Sequence, residues 1–280
     1  MKDLNINDKL KPENSNLEYK ESKNSLPKDF WKTYSAFGNT KGADKMKKGM
    51  VLGLILLLSF VLYGCGEPEL DISKDPGKGY YLQYKGTTSD EAKITLKDES
   101  GETKKLDVEK NSFTALVPRL TSKAIYTVIA KDKDKETETK LVVPKQKKLV
   151  SYEDLKGQFN YIYETEDKLS ISLPDSINSN EEITPGFKIM SDGNNVMSIL
   201  LTYSSEDNIG ITDYNDFTYS IAAIMMSLDS ENSLDKVLDA LNNSMDNQKE
   251  NKVTVNDITY QFSTINAGTT NITTLEIFPN

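Results

Sequence analysis

Side chains that could do chemistry are scarce in this sequence of 280 residues, which has one cysteine, Cys65, and no histidine. The commonest general base and metal ligand is therefore absent. Cysteine–histidine nucleophile pairs and the usual zinc clusters are excluded. No nucleophile elbow, phosphate-binding glycine loop or lysine–serine dyad is visible. We therefore predict a protein that is not an enzyme and that has no catalytic residue, no metal site and no cofactor. Cys65 is the residue whose chemistry matters most.

Cys65 ends a segment, residues 46–65, that is built like an export signal. Lys47 and Lys48 precede an apolar run, and the small residue Gly64 stands before the cysteine. A cationic start, a short apolar core and a small residue at the end are typical of a secretory signal. The apolar run is shorter than the roughly 20 residues that span a bilayer comfortably. A lone thiol can also be a small buried apolar group, but its position after Gly64 favours a role in export.

The last four residues of the segment, Leu62, Tyr63, Gly64 and Cys65, resemble a bacterial lipobox, the signal of the lipoprotein family. The resemblance implies that Cys65 is lipidated, with palmitate among the expected acyl chains, and becomes the new N-terminus. It further implies a lipid-anchored protein on the extracellular face of the cell membrane. The alternative is that residues 46–64 remain as a hydrophobic membrane helix.

Residues 17–42, LEYKESKNSLPKDFWKTYSAFGNTKG, have a different character from the polar residues before them. They resemble the opening of the Schlafen AlbA-type domain, also called the divergent AAA domain, which begins with LE-[FY]-K-ES and continues with FW-x-x-x-SAFANT-x-GG. The resemblance implies nucleic-acid or nucleotide binding. Within the matched motif it points to Glu18, Lys20 and Glu21.

The match covers about 30 residues of a domain of roughly a hundred, and one strand and one helix bury too little surface to fold alone. Gly38 and Ala43 depart from the family pattern, and the apolar signal follows directly. We interpret residues 1–45 as disordered or as a truncated Schlafen AlbA-like fragment that does not function. Met46 is then a plausible first residue of the protein.

Charge divides unevenly about Cys65. Residues 1–65 contain 11 lysines and 7 acidic residues, a net charge of +4, whereas the rest contains 23 basic and 36 acidic residues, a net charge of −13. An acidic exported part repels phosphates, which argues against nucleic acid as its partner. The expected partners are the membrane, through lipid or a hydrophobic helix, and an unknown component of the envelope or wall.

After Cys65 the sequence predicts a polar tether over residues 66–79 and then a module of short strands over residues 80–144. The runs have period-two alternation and turn residues at near-regular spacing, which is typical of a β-sandwich. The predicted strands are 80–84, 92–97, 105–108, 112–117, 125–130 and 137–143. Their order and turns resemble the immunoglobulin-like modules of bacterial surface proteins. The charged run Lys131–Lys135 predicts a solvated hairpin turn.

Residues 149–280 predict an α+β domain. Ser151 has the form of a helix N-cap, residues 168–174 alternate as a strand, and residues 192–195 predict a hairpin turn. Two amphipathic helices follow. The first is capped by Asp213 or Asn215, and its predicted inner face consists of Phe217, Ile221, Ile224, Met225 and Leu228. The predicted inner face of the second consists of Leu234, Val237, Leu238, Leu241 and Met245. Three further strands complete an antiparallel sheet on two helices.

The expected fold class is therefore mixed: a hydrophobic signal or membrane helix, an all-β immunoglobulin-like sandwich, and an α+β domain. The expected function is that of a non-enzymatic, lipid-anchored lipoprotein that presents an interaction domain at the cell envelope. The alternative is a membrane-tethered, Schlafen AlbA-like protein that binds nucleic acid or nucleotides.

Overall fold

The computed structural model describes residues 67–204, 209–267 and 270–280. Residues 67–280 form one compact unit. Three antiparallel sheets and three α-helices make up most of its described residues. Within these residues, no helix combines the length and the apolar character needed to cross a membrane. The predicted signal or membrane helix, residues 46–65, lies outside the described residues.

Residues 67–144, which we call the two-sheet region, contain eight strands. They are β1 (Leu70–Ile72), β2 (Leu82–Thr88), β3 (Lys93–Lys97), β4 (Thr103–Leu106), β5 (Val108–Glu109), β6 (Ser112–Val117), β7 (Ala124–Asp132) and β8 (Lys135–Val143). One sheet has the order β1-β2-β6-β5 and the other the order β4-β3-β7-β8. The charged run Lys131–Lys135 forms the two-residue hairpin turn that its sequence predicts, with Asp132 paired to Lys135.

The two sheets share one apolar core, because alternate side chains of each strand point into it. The buried side chains come from β2, β3, β6, β7 and β8. One close approach requires a glycine. A Cβ atom on Gly86 of β2 would overlap the Phe113 ring of β6, because the ring occupies the space that a side chain would need.

Residues 149–280, the helix-bearing region, contain seven strands and three α-helices in their described part. The strands are β9 (Val150–Ser151), β10 (Asn180–Thr184), β11 (Phe187–Asp192), β12 (Asn195–Ser204), β13 (Asn251–Val255), β14 (Ile258–Ala267) and β15 (Thr270–Pro279). The helices are α1 (Tyr152–Thr165), α2 (Tyr214–Ser227) and α3 (Leu234–Asn247), with a 3-10 turn at Glu231–Ser233.

The sheet of this region has the order β10-β11-β12-β15-β14-β13, and β9 pairs with β12. It is two antiparallel three-stranded meanders joined by the pairing of β12 with β15. The helices and one face of the sheet contribute to a single apolar core. The predicted inner faces of α2 and α3 are confirmed: every residue of them is buried or packs against that core. Ser151 and Asp213 are confirmed as N-caps, with side chains that accept backbone N–H groups of the first turn.

Three sequence predictions need correction. The stretch 66–79 is not a tether throughout, because β1 lies within it and Leu70 and Ile72 pack against the core. Residues 168–174 form no strand. The helix-bearing region has three helices on its sheet rather than two, since α1 follows the predicted cap at Ser151.

The missing strand has a physical explanation. Side chains, instead of a neighbouring strand, form hydrogen bonds with the backbone groups of residues 168–174. Asn160 of α1 donates to the Leu173 carbonyl (2.9 Å) and accepts its N–H (2.7 Å), while Asp216 of α2 accepts the Ser170 N–H and hydroxyl. Leu169 and Leu173 still point inward and are buried. The alternation therefore indicated the buried face correctly but not the strand pairing.

Candidate functional site: a polar groove and a buried junction

A groove of about 860 Å³ lies on the outer face of the β1-β2-β6-β5 sheet. Its floor is formed by side chains of β2 and β6 that alternate with those of the core. The strand register places Asp71, Thr87, Ser112 and Glu109 side by side across all four strands. Neighbouring side chains in such a row lie about 5 Å apart. This row has two hydroxyl groups in its middle and a carboxylate at each end.

Lysines complete the groove. Lys85 and Thr114 form the next row of the floor, and Lys104 and Lys105 of β4 line the groove together with Asp107. The groove is thus lined by three ammonium groups and three carboxylates. The apolar side chains of the lining are those of Leu106, Phe113 and Leu116.

The hydroxyl groups of Thr87, Ser112 and Thr114 make no side-chain hydrogen bond within the described part of the chain. The six charged groups of the groove likewise form no ion pair there. All nine side chains are exposed. Polar groups of this kind are bonded to water and can exchange that water for a ligand with matching donors and acceptors.

The second polar feature is a junction between the two regions, centred on Arg119, the only arginine of the chain. Arg119 is 1% exposed and follows β6 in the two-sheet region. Its Nε donates to the Gly79 carbonyl at 2.8 Å. Its guanidinium lies 5.0 Å from the ring centroid of Phe278 in β15, a cation–π distance. Arginine suits this place because it is less strongly hydrated than lysine and can stack on a ring.

Glu276 of β15 supplies the opposite charge. Its Oε2 accepts the Tyr80 N–H at 3.0 Å. Burial raises the pKa of Glu276, and the Tyr80 hydrogen bond and the Arg119 charge act against that rise. Burial also lowers the pKa of Arg119 to about 10, and Glu276 opposes that change. Each charge therefore offsets part of the desolvation cost of the other.

Tyr80 connects the two regions most extensively. Its hydroxyl donates to Asn180 Oδ1 and its carbonyl accepts from the Ser198 hydroxyl, both at 2.8 Å. Its side chain packs with Met190 and Met197 in a small buried cluster. Burial raises its pKa, since the phenolate would be desolvated. The sequence predicted Tyr80 as the first residue of a strand, but β2 begins at Leu82 and Tyr80 lies in the junction instead.

Thr121 and Asp192 complete the junction at its more exposed side. The Thr121 N–H donates to Asp192 Oδ2 at 2.8 Å, and the Thr121 hydroxyl contacts the same oxygen. These bonds, the Glu276–Tyr80 hydrogen bond, the contact of Arg119 with the Phe278 ring and the other Tyr80 contacts all cross from one region to the other. The two regions are therefore held in one orientation. The junction is a structural feature, and it holds the groove in a fixed position relative to the helix-bearing region.

A second open sheet face provides a comparison. On the face of the helix-bearing sheet that points away from the helices, Thr202, Thr274 and Ser263 lie side by side across β12, β15 and β14. These half-buried hydroxyl groups also make no side-chain hydrogen bond within the described residues. We call them the hydroxyl row.

The site residues predicted from sequence all lie outside the described residues. They are Cys65 with Leu62, Tyr63 and Gly64, and Glu18, Lys20 and Glu21 of the Schlafen-like motif. The groove and the junction were missed. Alternation at Lys85–Thr87 and Ser112–Thr114 indicates only an exposed face. The single arginine among 34 basic residues was a usable signal for a buried cation.

In the described part of the chain, no group of three or more histidine, cysteine, aspartate or glutamate side chains has a geometry that could hold a metal ion. Comparison of the chain with protein-family models and with curated proteins finds no match.

Proposed function

We propose that this protein is a non-enzymatic, lipid-anchored lipoprotein on the outer face of the cell membrane, where it presents residues 67–280 as an interaction body. The observation that carries the proposal is the order Lys47-Lys48, apolar run, Leu62-Tyr63-Gly64-Cys65. This order has the parts of an export signal and ends on the only thiol of the chain.

The described fold is consistent with this role. The strand orders β1-β2-β6-β5 and β4-β3-β7-β8 correspond to the ABED and C′CFG sheets of an immunoglobulin-type domain, a class of module common at cell surfaces. We therefore propose that the two-sheet region is an immunoglobulin-like sandwich. The buried junction supports a rigid body, and the body's acidic charge supports solubility outside the cell.

Metabolic labelling with an alkyne analogue of palmitate tests the anchor. We expect label on the wild-type protein, recovery of that protein in the membrane fraction, and loss of both with Cys65→Ser. Lys78→Ala serves as the control variant, which should keep label and location. Label that survives Cys65→Ser contradicts lipidation at this residue. Membrane retention of an unlabelled wild-type protein would instead support residues 46–64 as a membrane helix.

The alternative function, nucleic-acid or nucleotide binding, is carried by the resemblance of residues 17–42 to the Schlafen AlbA-type domain. It predicts that the full chain binds single- or double-stranded nucleic acid and that a chain starting at Met46 does not. Replacing Lys20 with glutamate should then weaken binding. Equal binding, or equal lack of binding, by the two chains removes this alternative.

A further inference from the structure

The groove has the chemistry of a site for a polyhydroxylated ligand. We propose that it binds an uncharged glycan of the cell envelope, laid across the row Asp71, Thr87, Ser112 and Glu109. This inference rests on the proposed function, because that function supplies the anchor that brings the groove to the envelope.

The charges of the groove select the class of ligand. Lys85, Lys104 and Lys105 are balanced by Asp71, Asp107 and Glu109. A polyanion would meet three carboxylates there, and it would be repelled by the acidic body as well. A polycation would meet three ammonium groups. A sugar hydroxyl both donates and accepts hydrogen bonds, so it can be paired with ammonium groups, carboxylates and protein hydroxyls alike.

The floor of the groove argues against a protein partner. Protein interfaces usually depend on buried aromatic or arginine anchors. Leu116 of the groove is 38% exposed, and no aromatic residue of the two-sheet region is among the exposed large apolar side chains. The lining instead offers free hydroxyl groups in a regular array.

The position of the groove in the chain fits an envelope ligand. Asp71 is six residues after Cys65, and six extended residues span at most about 22 Å. With a lipid on Cys65, one side of the groove therefore lies within about 22 Å of the membrane surface. A glycan bound there belongs to the layer next to the membrane.

Binding of the full chain, purified in detergent, to an array of neutral oligosaccharides tests the proposal. The array includes glucan, galactan, mannan and N-acetylglucosamine hexamers, with polyglycerol phosphate as the anionic probe. We expect the wild-type chain to bind at least one neutral hexamer. The variant Thr87→Val/Ser112→Ala/Thr114→Val should weaken that binding at least tenfold. The matched control Thr202→Val/Ser263→Ala/Thr274→Val, which alters the hydroxyl row, should leave it unchanged.

A carboxylate variant separates the ligand classes. Asp71→Asn/Glu109→Gln should weaken binding of the neutral hexamer, because in each side chain an uncharged amide with one acceptor oxygen replaces a carboxylate with two. The same variant should strengthen binding of a polyanion. Binding of polyglycerol phosphate alone overturns the proposal. It is also overturned if no neutral hexamer binds, or if the hydroxyl-row variant loses binding and the groove variant does not. Because binding is measured in detergent whether or not Cys65 is acylated, its outcome is independent of the anchoring test.

Discussion

The junction and the groove are both polar, but their side chains are in opposite states. In the junction, Arg119, Tyr80 and Glu276 are buried or half-buried and contact partners in the other region. In the groove, Thr87 and Ser112 are exposed and without side-chain partners in the described residues. Burying a polar group is costly unless it is paired, so the junction groups determine geometry. The groove groups add little to stability and are free to bind a ligand.

The largest effect is expected in the junction. Replacing Arg119 with leucine should lower the free energy of unfolding by about 3 kcal/mol, since Glu276 then lacks its counter-charge in a partly buried place. Urea denaturation measures this. The double variant Arg119→Leu/Glu276→Gln should lose less than Arg119→Leu alone. A double variant that loses the sum of the two single effects would contradict the coupling of these charges.

Two glycines allow a sharper contrast between packed and open positions. Gly86→Ala places a Cβ atom against the Phe113 ring, and overpacking of this kind should cost about 2 kcal/mol. Gly157 is exposed in α1, and no atom beyond its chain neighbours and the backbone of its own helix turn lies within 4 Å of the place that a Cβ would take there. Gly157→Ala should therefore raise the free energy of unfolding by about 1 kcal/mol. Similar effects at both positions in urea denaturation would contradict the close approach of the Phe113 ring to Gly86.

The pH dependence of stability should distinguish a buried from an exposed carboxylate. Burial raises the pKa of Glu276. The contribution of Glu276 to the free energy of unfolding is therefore fully present below the pKa that it has in the unfolded chain, and it is lost as pH rises through the pKa of the folded state. The wild-type chain should gain stability relative to Glu276→Gln as pH falls from about 7 to about 4. Urea titrations at a series of pH values provide the measurement.

Asp98 is the control with the opposite sign. A hydrogen bond from the Ser100 hydroxyl and backbone N–H groups lower the pKa of Asp98. The contribution of Asp98 to the free energy of unfolding is present above the pKa that it has in the unfolded chain and is lost as pH falls through the pKa of the folded state. The wild-type chain should therefore lose stability relative to Asp98→Asn over the same fall in pH. The difference in stability between wild type and variant should therefore change with pH in opposite directions for Glu276→Gln and Asp98→Asn. A change in the same direction would contradict the directions given for the two pKa shifts.

The smallest effect is expected in the groove. The variant Thr87→Val/Ser112→Ala/Thr114→Val alters exposed side chains without side-chain partners in the described residues, so the free energy of unfolding should change by less than about 0.5 kcal/mol. Thermal and urea denaturation both report this quantity. A loss of about 2 kcal/mol or more would show that these hydroxyl groups stabilise the fold and would remove the distinction between groove and junction.

The sequence was sufficient for features set by local chemistry. Alternation located β3, β6, β7 and β8, and the caps Ser151 and Asp213 follow from the short hydrogen bonds that a helix start requires. The turn Asn256–Asp257 adopts positive φ at both residues, a conformation that asparagine and aspartate tolerate better than most residues. These features depend on residues close together in the chain.

Features that depend on distant residues could not be predicted in this way. Whether residues 168–174 pair as a strand was decided by Asn160 and Asp216, which satisfy that backbone from two helices. Arg119 and Glu276 are far apart in sequence, and nothing local marks them as partners. The groove depends on the register of β1, β2, β6 and β5, which the sequence pattern leaves open.

The most direct test of the central claim is the mass of the mature protein isolated from its own cells. Lipid anchoring predicts a chain that begins at Cys65, with a mass higher than that of the polypeptide by a diacylglyceryl group, and an N-terminal peptide that carries the lipid on that cysteine. A mature chain that begins at Met1 or Met46 and contains an unmodified Cys65 would contradict lipid anchoring.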